Sequence, residues 1–327
     1  MFYPFKFKPI FKEKIWGGNV LAREFHKPVS PDIKIGESWE VSAVPKDESI
    51  VANGDLAGKS LEDLIVEYKD LIVGERVFSL HRYEFPLLVK FLDAADKLSV
   101  QVHPDNAYAK KYHNSFGKTE IWFILAAKKG AHLIVGLGDG IQKKDLSAAI
   151  KEKRITDVLK YIPVKAGDVI YLPAGRVHAI LEGIVLAEIQ QTSDLTFRLY
   201  DWDRVDDDGK PRTLHIDESL AVINFDDHEA VKLEKNFTAE KGCKTAPVIT
   251  GDFFSIEEIH LSGTRPLYRR STVIKESFEI IIAVNGEGSV LYDKGEETFV
   301  KGESLLLPAS MGEYTVTGNL EFLRVWR

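Results

Sequence analysis

The stretch VKAGDVIYLPAGRVHAI (residues 164–180) reads as a glycine-led turn, a short apolar strand, a proline turn and a second strand. FVKGESLLLPASMGEYTV (residues 299–316) reads the same way. Laid on one another, Gly167 meets Gly302, Asp168 meets Glu303, and Leu172-Pro173-Ala174 meets Leu307-Pro308-Ala309. Glycine reaches backbone angles closed to other residues and proline pre-sets a turn, so their shared positions describe shared geometry. Two copies of one supersecondary unit predict two related β-domains. The copies part where chemistry would sit: His178 of the first faces Glu313 of the second, and Gly175 faces Ser310.

Outward from this repeat the chain keeps a β character. Turn signals recur after about residue 162, at Ala166-Gly167-Asp168, Pro173-Ala174-Gly175, Asp208-Gly209 and Asn285-Gly286, between apolar alternations. Upstream, Phe5 and Phe7 alternate with Lys6 and Lys8, IGESWEVSA (residues 35–43) reads as a short strand, and FPLLVKFLDA (residues 85–94) as a buried run. Helical spacing interrupts this at residues 59–72, with Ser60 as N-cap and Asp63 three residues on. It recurs after Pro104 through Tyr112, and again over residues 143–162. The class expected is mostly β with helical insertions, as a sandwich or barrel. We expect residues 1–243 to form the chemically active domain and residues 244–327 a β-domain that lacks the histidine and binds no metal.

Composition narrows the function. With 327 residues and 44% hydrophobic content the chain can bury a large core, and a net charge of -7 disfavours a broad nucleic-acid surface. The single cysteine, Cys243, excludes an internal disulfide and any CxxC metal site. Lysines break the apolar start, and no uninterrupted apolar run approaches the ~20 residues that span a bilayer. A cytoplasmic protein with a small anionic substrate, no nucleic acid and no membrane is expected.

In LSVQVHPDNAYAKKYHNSFGKTEIWFIL (residues 98–125), Leu98, Val100 and Val102 alternate with Ser99, Gln101 and His103, so Gln101 and His103 share one strand face. After the Pro104 helix the chain re-enters a strand at Lys118-Thr119-Glu120, which can bring Glu120 beside them. AGRVHAILE supplies His178, with Ile180 and Glu182 expected on its face. Two imidazoles and a carboxylate suit zinc and leave a coordination position open. Trp16, in Trp16-Gly17-Gly18, offers an aromatic floor for a sugar or a buried plug at a barrel end. DRVDDDGKPR (residues 203–212) lacks the rest of a calcium loop and reads as a solvated β-turn.

Gly167-x5-Pro173-x-Gly175-x2-His178 resembles the second motif of the cupins, small jelly-roll β-barrels that hold a metal inside. QVHPDNAYA, GKTE, YLPAGRVHAI and SDLTFR together resemble the type I mannose-6-phosphate isomerases in their short bacterial form, over essentially the whole chain. The resemblance implies two cupin-type barrels and a single Zn2+ per chain, held by Gln101, His103, Glu120 and His178. It implies an active-site Arg198 in the pattern Ser-Asp-x3-Arg, with Asp194 four residues before it, and a substrate-handling Lys118. Period 2 would put Asp194, Thr196 and Arg198 on one face, so Asp194 is expected to orient Arg198. Thr119 and Gly117 depart from the family pattern, and the proton-transferring group stays open among zinc-bound water, Lys118, Glu182 and Asp194. The implied reaction interconverts mannose 6-phosphate and fructose 6-phosphate through an enediolate, in a monomer or weak dimer. Competing readings are a non-haem iron dioxygenase, since the same trio serves iron, and a phosphosugar-binding cupin without turnover.

Overall fold

The computed structural model describes residues 2–205, 209–263, 267–271 and 276–327. Two large antiparallel sheets and the small pair Ala43–Val44 with Asp47–Glu48 precede the C-terminal sheet among the described residues. The first runs Ile10–Gly18, Ile35–Val41, Leu87–Ala94, Ile184–Gln191, Glu120–Ala127, Val169–Leu172 in spatial order. The second runs Phe197–Tyr200, Val100–Val102, His178–Ile180, His132–Leu137, Leu159–Pro163. Trp16, Leu92, Trp122, Ile124 and Leu186 of the first pack with Leu133, Val135 and Ile180 of the second. The alternation read in the sequence thus becomes one face turned toward a shared interior.

Leu87–Ala94 and Ile184–Gln191 are buried along their full length, because the first sheet is covered on its other side too. There Val89, Phe91, Ile121 and Ile189 join Leu61, Leu64 and Ile65 of a helix, Ile280, Leu323 and Val325 of the C-terminal sheet, and Phe278 just before it. That last sheet has eight antiparallel strands between Thr238 and Trp326, centred on the long pair Glu279–Tyr292 and Glu313–Trp326. Phe5 exchanges backbone hydrogen bonds with Leu306, and Phe7 bridges to Val51, so the N-terminal segment is shared between the two halves.

The fold is mostly β with helical insertions. Ser60 caps Leu61–Tyr68 and Asp63 returns the bond to the Ser60 N–H, completing a capping box. Expected continuity to Ile72 fails at Lys69, whose φ of 53° ends the helix before Asp70–Val73 restarts it and buries Ile72 and Val73. Asp105 caps Asn106–His113 through the Tyr108 N–H. The helix expected over residues 143–162 is cut shorter still. It runs Lys143–Lys151, followed by positive φ at Lys153, a 3-10 turn Ile155–Val158, and the strand Leu159–Pro163 paired to His132–Leu137. The β-branched residues Ile155, Thr156 and Val158 disfavour a helix there, and Ile155 and Leu159 anchor in the same cluster as Leu146 without needing its period. Residues 206–208 of the expected 203–212 turn lie outside the described set; on either side of them Val205 bridges to Pro211. Among the described residues no helix is long and apolar enough to cross a membrane.

Candidate metal centre

Val100–Val102 lies between two strands that bring Gln101 into register with Arg198 on one side and His178 on the other. Residues directly opposite in neighbouring strands point to the same face, so Arg198, Gln101 and His178 form a row spanning about 10 Å across two interstrand spacings. His103 follows Gln101 by two residues. Glu120 arrives from the facing sheet, as the first residue of Glu120–Ala127, opposite Leu172 and Gln190.

These elements bring His103, Glu120 and His178 together, each about 1% exposed, with ligand atoms all within 4.8 Å of one another. His178 Nε2 stands 3.3 Å from Glu120 Oε1, and His103 Nε2 3.7 Å from Glu120 Oε2. His103 Nδ1 donates to the Leu195 carbonyl at 2.8 Å and His178 Nδ1 to the Arg176 carbonyl at 2.9 Å. Those outer bonds fix the tautomer and aim both Nε2 lone pairs at a carboxylate that is itself only an acceptor, which is how proteins orient metal-binding histidines. Both Glu120 oxygens and His178 Nε2 are buried without a hydrogen-bond partner. Acceptors of this kind cost free energy unless a cation meets them, and only Glu120 Oε2 has one at hand, the Lys118 ammonium at 3.1 Å.

The electrostatics agree. Burial pushes His178 down to about 4 and, with the Lys118 ammonium adding to it, holds His103 well below the usual imidazole range. Both rings are therefore neutral near pH 7, the form that binds metals. Burial raises Glu120 to about 7 against the pull of Lys118, whose Nζ lies 3.1 Å from Glu120 Oε2 and 3.2 Å from His103 Nε2. The donor set fits a divalent cation of the zinc type.

Two further charged residues reach this interior. Lys90 and Glu188 pair at 3.1 Å in a cross-sheet row of Trp39, Lys90, Glu188 and Trp122, and the Trp122 indole N–H donates to Glu188 at 2.9 Å. Burial alone would raise Glu188, but Lys90 and then Lys118 outweigh it and hold the carboxyl at about 2. The sequence reading did not single out this pair. Its signal is a lysine inside LLVKFLDA and a glutamate inside IVLAEIQQ, charges that a doubly buried strand can hold only in partnership.

Two expectations are corrected, for Asp194 and for Glu182. Asp194 does not orient Arg198: the strand begins only at Phe197, the Asp194 side chain is exposed, and Arg198 Nη1 donates instead to the Thr213 carbonyl at 2.8 Å. Arg198 Nε is buried with no partner, while Asp201 gathers Arg204 and Arg212, each with a 2.7 Å bond. Of the two readings offered for Trp16, the structure has it buried, 4% exposed inside the core with Leu92 and Trp122. Glu182 lies beyond the end of His178–Ile180 and is exposed.

Facing antiparallel sheets around a buried histidine–glutamate cage place the chain among the cupin-fold enzymes. A profile of the phosphomannose isomerase type I catalytic domain matches residues 4–120, and one of the mannose-6-phosphate isomerase cupin domain matches residues 244–327. The mannose-6-phosphate isomerase of Streptococcus mutans is 36% identical over 95% of this chain and 94% of its own length. The mannose-6-phosphate isomerase ManA of Bacillus subtilis is 37% identical over 97% of each. The crystal structure of the mannose 6-phosphate isomerase from Bacillus subtilis superposes with a TM-score of 0.89 at 33% identity, covering 98% of this chain and 99% of that one. The chain belongs to the type I mannose-6-phosphate isomerases.

Proposed function

We propose that the cage interconverts mannose 6-phosphate and fructose 6-phosphate with a Zn2+ held by Gln101, His103, Glu120 and His178. The observation that carries this reading is the buried trio His103, Glu120 and His178, whose ligand atoms lie within 4.8 Å of one another. When bound, Zn2+ would polarise the sugar's hydroxyl and carbonyl oxygens and bring no redox chemistry of its own.

The residues of the chain supply the rest. The reaction removes a proton from C2 of the aldose and returns one at C1, with negative charge building on oxygen as an enediolate. Arg198 stays protonated and so acts on charge rather than as a base; its unpartnered Nε is a donor available to an anionic oxygen of the enediolate or phosphate. Lys118, buried beside Glu120, places a second positive charge at the cage and orients a sugar oxygen there. The Lys90–Glu188 pair keeps Glu188 ionised and the Trp122 ring fixed against His178, whose ring centroid is 5.3 Å away.

In this reading residues 1–243 carry catalysis, residues 244–327 carry no metal, and the enzyme works in the cytoplasm as a monomer or weak dimer. The test is conversion of mannose 6-phosphate by chelated protein before and after zinc is restored. Activity that returns with zinc is expected. No turnover with any divalent metal overturns the reading, and oxygen uptake with ferrous iron would replace it with a dioxygenase.

A further inference from the structure

Lys118 is 6% exposed, and a long ammonium side chain is positioned only as well as the backbone beneath it. Every backbone N–H of residues 117–119 is tied. Gly117 donates to Asn106 Oδ1 at 2.9 Å, Lys118 to the Pro104 carbonyl at 3.0 Å, and Thr119 to Gln191 Oε1 at 3.0 Å. The two side chains that receive these bonds are themselves joined, since Gln191 Nε2 donates to Asn106 Oδ1 at 3.0 Å. The Gln191 backbone N–H closes the ring on the Thr119 carbonyl at 3.2 Å. Gly117 lies flat on the strand exit, where an added Cβ would stand 2.5 Å from the Asn106 nitrogen.

This ring sits behind the cage. Gln190 is the cross-strand partner of Glu120, so Gln191 faces the other side of the sheet and cannot reach a molecule held by the metal ligands. It nonetheless joins the exit from the His103 strand, the loop that carries Lys118 and the strand that carries Glu188.

We infer that Gln191 and Asn106 are positioning residues for the isomerisation, acting through the backbone of residues 117–119 to hold Lys118 against the cage. The inference rests on the isomerase reading. A displacement of about 1 Å at a reacting group costs on the order of 100-fold in rate, so loss of the ring is visible in turnover while the metal ligands keep their own supports.

The experiment uses zinc-loaded full-length protein, with a cobalt-substituted sample for spectroscopy. Gln191→Ala and Asn106→Ala are expected to lower kcat/KM by about tenfold or more, with metal content and the cobalt visible spectrum unchanged. Asn106→Asp, which keeps both acceptor contacts, recovers most of what Asn106→Ala loses. In a Lys118→Ala background, Gln191→Ala costs nothing further. Additive losses in that background, metal loss in the single variants, or full activity of Gln191→Ala would each overturn the positioning role. An inactive zinc-loaded parent instead overturns the isomerase reading, and is recognised before any variant is made.

Discussion

The interior of the first sheet pair and the interior of the C-terminal sheet each hold a carboxylate at one shared position, beside an ion pair whose charges are exchanged. Leu172 lies opposite Glu120, and Leu307, its counterpart in the sequence repeat, lies opposite Glu279. Two residues further along, Trp122 faces Glu188, which faces Lys90; in the C-terminal sheet Ile281 faces Arg324, which faces Glu257. The basic and acidic members have changed places. Glu120 meets two imidazole lone pairs and a single cation, the Lys118 ammonium at 3.1 Å, whereas Glu279 accepts from both the Arg324 guanidinium and the Tyr314 hydroxyl. Arg324 also approaches Glu257 at 3.4 Å, and Tyr268 donates to Glu257 at 2.8 Å. One scaffold thus answers a buried carboxylate in two ways, with a guanidinium and a hydroxyl, or with an ammonium and two imidazoles whose Nε2 atoms face it.

The strongest way to break this contrast is His178→Ala. It should remove the bound metal and lower isomerase activity by about a thousandfold or more, read by metal analysis and a coupled assay. Metal retained at unchanged stoichiometry would mean that the C-terminal interior binds it after all. Next comes Arg324→Met, which leaves buried Glu279 and half-buried Glu257 without their shared partner. A loss of roughly 3–5 kcal/mol is expected in denaturant unfolding, partly recovered by adding Glu279→Gln, with metal content unchanged.

Arg198→Lys keeps the charge but removes the Nε donor and the planar fork. Its kcat/KM should fall about 10- to 100-fold, and an unaltered value would show that only net charge counts in that row. The smallest effect is expected from Asp194→Ala. Because Asp194 is exposed and Arg198 is held by Thr213, kcat/KM should change by about twofold or less, as surface changes usually do.

What the sequence made legible follows from how local each signal is. The approach of His103 and His178 was readable because period 2 along a strand and the turn at Gly175 are settled within a few residues, and Gly175 does take a φ of 88°. Glu120 was readable by proximity to a strand start. Lys90 and Glu188 were not, since what licenses each is the other, and their meeting depends on which strands become neighbours. The same holds for Arg198: its sequence neighbour Asp194 was the natural partner, but the register of Phe197–Tyr200 gave it Thr213. The helix expected to reach Ile162 erred because apolar residues spaced for a helix also serve a short turn followed by an edge strand.

The bond between Phe5 and Leu306 also has a consequence in time. Synthesis delivers the first strands long before residue 306, and until then the outer side of the first sheet, with Val89, Phe91 and Ile189, has no C-terminal sheet to cover it. Contacts of such long sequence separation form late and slowly, and exposed apolar sheet is where growing chains aggregate. The nascent chain therefore passes through a stage in which the strands of its first two large sheets are complete in sequence yet sticky, until the C-terminal sheet covers them.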